Sequence, residues 1–254
     1  MTATPPQTRW IQGLGSRNRT ARLRLYVFPH AGAGASAYRL NRFFPEQIEV
    51  CPVQLPGRED RLAELPLTTV PAVIDAAAPA IAASTDLPYA FLGHSMGALL
   101  AFHVAHRLRE TGAPLPGHLF LSAYRAPHLP ERDPVHKLPD AQLLQKMGLP
   151  DPCYQDPDLR ELFLPALRAD VTLCETATHR PAEPLPCPIT ALCGSEDNSV
   201  TTQDLNGWQT YTSAGFRLQE FPGDHFYLRG AEQNVAEYVA KALARPETQK
   251  GMAL

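Results

Sequence analysis

Pro88-Tyr-Ala-Phe-Leu-Gly-His-Ser95-Met-Gly-Ala-Leu-Leu-Ala-Phe-His-Val104 decides how this sequence is read. Tyr89 to Leu92 is an apolar run of buried-strand length, and Leu99, Leu100, Phe102 and Val104 supply the apolar positions of a helix. Between them lies Gly93-His94-Ser95-Met96-Gly97, with a glycine on each side of a serine. A strand that reverses into a helix over so few residues holds the serine in a strained backbone conformation, its hydroxyl clear of the sheet edge. A Cβ at position 93 or 97 would run into neighbouring backbone. The start of the helix adds partial positive charge and unpaired N–H groups, so the Met96 N–H is expected to face developing negative charge.

Working outward, Arg22 to Phe28 reads as a strand that runs into Pro29-His-Ala-Gly-Ala-Gly34. Such a small-residue turn lets backbone N–H groups approach a carbonyl oxygen closely, which makes the Ala31 N–H a second candidate donor. Ser36 to Phe44 is expected to be a helix ended by Pro45, and Ile48 to Gln54 a strand. The loop Leu55-Pro-Gly-Arg-Glu-Asp-Arg61 reads as a solvated charge cluster with local ion pairs. Val70 to Ser84 is an alanine-rich helix that Pro79 should kink. The helix after Ser95 runs to about Glu110, stopped by Gly112 and Pro114, and His118 to Ser122 is another strand. Strand and helix thus alternate, which predicts an α/β fold whose mostly parallel sheet carries helices on both faces.

The alternation breaks between Pro127 and Pro186, where two helical stretches stand without a strand. Asp140 to Met147, with Asp140 as N-cap and Gly148 as stop, is one; Pro157 to about Thr176 is the other. Residues 127–182 therefore read as a helical lid inserted into a core made of residues 21–126 and 183–243. A strand at Pro188 to Cys193, a helix to about Tyr211, a strand at Phe216 to Phe221 and a helix from about Ala231 to Leu243 complete the pattern. Residues 1–20 read as a flexible leading segment and residues 244–254 as a frayed tail.

Composition narrows the class. The chain has 254 residues, 44% of them hydrophobic and 19% charged, enough for one large domain with a substantial core. A formal net charge of −3 leaves no footprint for nucleic acid or an anionic membrane. No apolar run approaches the ~20 residues of a membrane span, and the leading residues lack the apolar core of a signal peptide. Cysteines 51, 153, 174, 187 and 193 show neither C-x-x-C nor metal-type spacing. Buried, reduced thiols in a cytoplasmic protein are expected, with no metal.

A serine hydroxyl is a poor nucleophile until a base takes its proton, and that base needs an acid to fix its tautomer. On a parallel α/β sheet the three should follow in the order serine, carboxylate, histidine, each past the carboxyl end of a strand. Ser95 does so, Asp197 follows Ile189–Cys193, and His225 follows Phe216–Phe221. His94 belongs to the turn itself, and His30 precedes the serine in chain order. His103, His106 and His118 fall on a helix or at a strand start, while Glu196 and Asp224 neighbour better candidates for the acid. The other strand end used by some hydrolases, Ser122-Ala-Tyr-Arg-Ala-Pro127, holds no carboxylate. G-x-S-x-G in this setting is the nucleophile elbow of the α/β-hydrolase fold.

Six stretches extend that reading: Phe28-Pro-His-Ala-Gly32, Leu55-Pro-Gly-Arg-Glu59, Gly93-His-Ser-Met-Gly97, Leu167-Arg-Ala-Asp170, Gly194-x-x-Asp197-x-x-Val200 and Gly223-Asp-His-Phe226. Together they resemble the stand-alone type II thioesterases of polyketide and nonribosomal peptide assembly lines, from Trp10 to about Tyr238. The resemblance implies a Ser95–His225–Asp197 triad and an oxyanion hole made by the Ala31 and Met96 N–H groups. It implies a mobile lid over the phosphopantetheine entrance and a substrate held as a thioester on an acyl- or peptidyl-carrier protein. The implied role is removal of stalled or wrongly primed acyl groups by a monomeric enzyme without cofactor. In one place the chain departs from the family, which often carries an aromatic where Thr176-Ala-Thr178 stands here. The triad alone is equally compatible with a carboxylesterase or lipase acting on oxygen esters. A terminal cyclising thioesterase domain is disfavoured by the start at Met1 and the lack of an Asp-Ser-Leu-type attachment site. An idle hydrolase-like binding protein is disfavoured because no triad member is missing.

Overall fold

The computed structural model describes residues 9–14, 20–38, 40–131, 133–147 and 156–244. Gly148, Cys153, most of the leading segment and residues 245–254 of the expected tail lie outside these.

Six strands form one sheet: β1 (Leu23–Phe28), β2 (Ile48–Pro52), β3 (Tyr89–His94), β4 (Leu119–Ser122), β5 (Ile189–Gly194) and β6 (Phe216–Phe221). Their spatial order is β2-β1-β3-β4-β5-β6, and every pairing is parallel. β3 and β5 are buried along their whole length, which is why they read as continuous apolar runs and not as alternating ones. Alternate residues nevertheless serve opposite faces. Tyr26, Phe28 and Phe91 enter the core under α1 (Val70–Ala82) and α2 (Met96–Glu110). Leu25, Val27, Ala90 and Leu92 enter the core on the other face. There the last helix lays down Val235, Val239 and Leu243, each burial contributing about 1.5–3 kcal/mol.

β1 sends the chain to one neighbour, β2, while β3 lies on its other side. The order therefore reverses between β1 and β3, and the carboxyl ends at such a switch point are where ligands of parallel sheets bind. Phe28 stands opposite Gly93 in the register, so the loops after β1 and β3 leave the sheet side by side.

The remaining helices are α3 (Asp140–Lys146), α4 (Pro157–Glu175), α5 (Thr202–Asn206) and α6 (Glu232–Leu243). No strand falls between residues 127 and 186 among the described residues, as expected. The insertion has its own small core of Leu143, Leu144, Leu167 and Val171, and Ala31 packs against it. Asp156 caps α4 through the Asp158 and Leu159 N–H groups.

Several expectations need correction. Ser36 to Phe44 is not an α-helix but two short 3-10 turns, Ala35–Ala37 and Leu40–Arg42. The Ala35 and Ser36 N–H groups bond instead to the Gln54 and Glu59 side chains, which holds the segment in turns. Asp140 opens its helix without capping it; Pro139 occupies the cap position. The leading segment is not loose over residues 9–14. Trp10 and Ile11 are buried, Ile11 bridges Val53, and the Arg61 guanidinium lies 4.5 Å over the Trp10 ring. The 55–61 loop is not merely solvated, since Arg58 and Arg61 are both buried and Arg58 pairs with Asp170 on α4. Cys51, Cys187 and Cys193 are buried free thiols, whereas Cys174 is partly exposed.

Candidate active site

Ser95 sits between β3 and α2 with φ 53° and ψ −120°, a conformation that costs a non-glycine residue of order 1–3 kcal/mol. Backbone packing imposes it. A Cβ on Gly93 would lie 2.2 Å from the Gly97 carbonyl oxygen, and one on Gly97 would lie 2.1 Å from that of Phe28. Only glycine at both positions lets the turn close so tightly. The Ser95 N–H is tied to the Ser122 carbonyl at 2.8 Å, which anchors the turn to β4.

His225 Nε2 lies 3.1 Å from the Ser95 hydroxyl, and His225 Nδ1 lies 2.8 Å from Asp197 Oδ2. The ionised Asp197 carboxylate can only accept, so Nδ1 carries the proton and Nε2 is free to accept from the serine. The Asp197 side chain is fully buried and His225 is 24% exposed, so acid and base stand in very different dielectric surroundings. Burial by itself would raise the Asp197 carboxyl; the hydrogen bond and charge of His225 and the Ser199 donors outweigh it and hold the carboxyl below the ordinary range.

A third close approach brings the two loops together. A Cβ on Gly194 would stand 2.2 Å from the Asp224 carbonyl oxygen, and the Glu196 N–H bonds to the Gly223 carbonyl at 2.8 Å. The ends of β5 and β6 are thereby laced, and Asp197 and His225 are brought face to face. Ser199, which the sequence reading passed over, completes the group. Its N–H and hydroxyl bond to Asp197 Oδ1 at 2.8 and 2.5 Å, and its oxygen lies 2.9 Å from His225 Nδ1. A serine two places after an aspartate is the sequence pattern of an Asx-turn, which could have revealed it.

The competing residues fall into other roles. His94 points back into the core, where Nδ1 lies 2.8 Å from the Ser122 hydroxyl, which in turn lies 2.7 Å from the Tyr227 hydroxyl. His30 Nδ1 donates to the Ala31 carbonyl at 2.9 Å. Burial and the nearby Arg229 and His225 charges outweigh that bond, and His30 titrates at about 4. His118 lies 2.8 Å from the Thr190 hydroxyl, and His106 is buried against Phe102. His103 is half-buried on α2. Asp224 accepts from the Phe226 N–H within its own turn, and Glu196 is exposed.

Ala31 follows β1 and Met96 opens α2 directly after Ser95, on the two segments that leave the sheet side by side. Among the described residues neither backbone N–H is bonded to a protein acceptor. Asp170 reaches the same loop from α4 and accepts the Gly32 N–H at 2.7 Å. Among the described residues no cluster of three or more His, Cys, Asp or Glu side chains could hold a metal ion, and no helix is long and apolar enough to cross a membrane.

Known proteins are similar to this chain over most of its length. Residues 23–243 match the family described as "Thioesterase domain". The gramicidin S biosynthesis protein GrsT of Aneurinibacillus migulanus is 43% identical over 232 residues, covering 89% of this chain and 91% of that protein. Thioesterase PikA5 of Streptomyces venezuelae is 36% identical over 230 residues, covering 86% of this chain and 80% of that one. Among solved structures, the type II thioesterase BorB from the borrelidin biosynthetic cluster superposes with a TM-score of 0.82 at 33% identity, over 96% of this chain and 98% of BorB. A parallel sheet with a serine elbow at its switch point, matched over nearly its whole length by such relatives, has one reading: the chain belongs to the thioesterase family and stands with its type II members, enzymes of the α/β-hydrolase fold.

Proposed function

We propose that Ser95, His225 and Asp197 are the catalytic triad of an editing thioesterase that frees acyl groups from the phosphopantetheine arm of acyl- or peptidyl-carrier proteins. One observation carries this reading: an unbroken relay from the Ser95 hydroxyl through both ring nitrogens of His225 to a buried carboxylate. In the forward step His225 Nε2 takes the serine proton as Oγ attacks the thioester carbonyl, and the charge gathers on the carbonyl oxygen. The Ala31 and Met96 N–H groups stabilise that oxyanion, supported by their free donors and by the positive end of α2. The carbon–sulfur bond breaks, the thiol takes the proton from His225, and an acyl-serine remains. Water, deprotonated by the same imidazole, attacks the ester; the acid leaves and Ser95 is restored.

Carrier-bound substrates are supported by the likeness to GrsT, named for gramicidin S biosynthesis, and to BorB, a type II thioesterase from the borrelidin biosynthetic cluster. Residues 127–182, with α3 and α4 in a small core of their own, are proposed as the lid. We further read the protein as cytoplasmic, monomeric and independent of cofactor or metal.

The test is a comparison of substrates and variants. The wild-type protein should release acyl groups from carrier-protein thioesters far faster than it hydrolyses simple oxygen esters. Ser95→Ala should abolish release while circular dichroism stays unchanged. Near wild-type release by that variant would reject the triad; a preference for oxygen esters would favour a carboxylesterase.

A further inference from the structure

The Arg58–Asp170 pair lies outside the proposed proton relay, yet it grips the loop that carries Ala31. Asp170 is wholly buried on α4, and the Arg58 side chain is only 6% exposed. The carboxylate takes both terminal nitrogens of Arg58, Nη2 at 3.0 Å from Oδ1 and Nη1 on Oδ2. It also accepts the Gly32 N–H at 2.7 Å. Arg58 Nη1 donates in addition to the Ala33 carbonyl at 3.3 Å, and Nε donates to the Pro56 carbonyl at 3.2 Å. Both residues that follow Ala31 are therefore held by the same ion pair.

Packing adds to the grip. Gly32 has φ +78°, and a Cβ there would stand 3.2 Å from Leu167 Cδ1, one turn before Asp170 on α4. Ala31 itself packs against the small core formed by α3 and α4. The Gly32 nitrogen and the Ala31 carbonyl share one peptide plane, which the bond to Asp170 orients; the Ala31 N–H lies in the preceding plane, whose His30 carbonyl accepts the Ala33 N–H at 3.1 Å. Upstream, Phe28 is held in the sheet and Pro29 has a restricted φ. Little freedom is left at Ala31 once Gly32 is anchored. A buried ion pair is a weak device for stability compared with apolar packing, so its directional hold on the loop is what distinguishes it.

We propose that Asp170, held by Arg58, is a positioning residue that aims the Ala31 N–H at the thioester carbonyl oxygen and makes the seating of α4 a condition for catalysis. This rests on the oxyanion-hole reading above. When α4 sits on the loop, its carboxylate and Arg58 hold the segment that carries the donor; when α4 lifts, the acceptor leaves with it and residues 31–33 are free to turn. Hydrolysis is thereby confined to the seated arrangement.

The test compares Asp170→Asn with the double variant Arg58→Met/Asp170→Leu, which leaves no unpaired buried charge and so keeps the fold. Four quantities are measured: kcat and KM on an acyl-carrier thioester, the affinity of an alkyl trifluoromethyl ketone, and amide hydrogen exchange over residues 30–34. The ketone forms an oxyanion on the serine and therefore reads the hole directly. In the double variant kcat should fall about 10–100-fold, with KM changed less than about threefold, since a donor is misaimed and not deleted. Ketone affinity should fall by a factor similar to that in kcat, and Gly32 should lose exchange protection while the sheet amides keep theirs. A folded double variant with wild-type kcat and ketone affinity overturns the proposal. Ser95→Ala separates the two levels: near wild-type hydrolysis there overturns the triad reading and this one with it. An inactive Ser95→Ala beside fully active Asp170 variants overturns this one alone.

Discussion

Replacing Gly97 by alanine would put a Cβ 2.1 Å from the Phe28 carbonyl oxygen and 2.8 Å from that of Pro29. Since Cβ atoms essentially never approach closer than 3.0 Å, the last carbonyl of β1 or the first turn of α2 must withdraw by about 0.9 Å or more. Both sides of the contact are backbone, so no flexible side chain can yield. Phe28 is paired with Gly93 in the sheet and leads directly to Ala31; Met96, at the start of α2, lies next to Gly97. The displacement therefore falls on the two segments that carry the proposed oxyanion donors. Overpacking of this kind costs about 1–3 kcal/mol, which leaves the protein folded at 25 °C but lowers Tm by roughly 2–12 °C. Reactive geometry is less tolerant: a misplacement of about 1 Å costs about 100-fold. Gly97→Ala should thus lose about 100-fold in kcat/KM on an acyl-carrier thioester while calorimetry shows a cooperative transition at a modestly lower Tm. A variant with kcat/KM within threefold of wild type would refute the claim that backbone contact, and not composition of the turn, sets the geometry of Ser95.

Stability should also depend on pH in a defined window. Burial pushes His30, His103 and His106 down to about 4 and His118 to about 3, whereas in the unfolded chain each titrates near ~6.5. Between those values the unfolded state binds protons that the folded state refuses, so stability is full above about pH 6.5 and falls as the pH drops toward 4, by up to about 1.4 kcal/mol per pH unit for each group. The buried Asp170 carboxyl, raised above its ordinary value chiefly by burial, opposes the trend as a single group. Urea midpoints that stay level or rise between pH 6.5 and 5 would contradict the assignment of these histidines as neutral in the folded protein. Ser199→Ala removes a 2.5 Å hydrogen bond to Asp197 and should lower kcat roughly fivefold, about 1 kcal/mol, with KM unchanged. A rise in KM at constant kcat would instead place Ser199 in substrate binding.

The candidate triad is readable in linear form because each member lies within four residues of the end of a strand, two of the strands being continuous apolar runs. Ser95, Asp197 and His225 stand just past Tyr89–His94, Ile189–Gly194 and Phe216–Phe221, and parallel strands deliver all their carboxyl ends to one rim. The turns at 35–42 are not legible in the chain, because Gln54 and Glu59, from a distant loop, capture the backbone donors of Ala35 and Ser36. Trp10 and Ile11 lie in a polar lead-in, yet two buried side chains and a bridge to Val53 suffice to dock them.

What the sequence by itself determined is the order of elements, the parallel sheet, the strained serine turn and the three residues at its rim. All follow from local signals: strand-length apolar runs, glycines where a Cβ has no room, and a polar residue at each strand end. Tertiary structure alone decided the rest. Arg58 and Asp170 are 112 positions apart and lie in stretches that look solvent-facing one residue at a time. Only folding removes their water, and a charge without water must find its opposite. That desolvation joins α4 to the loop of Ala31, and no periodicity in the chain encodes the distance between them.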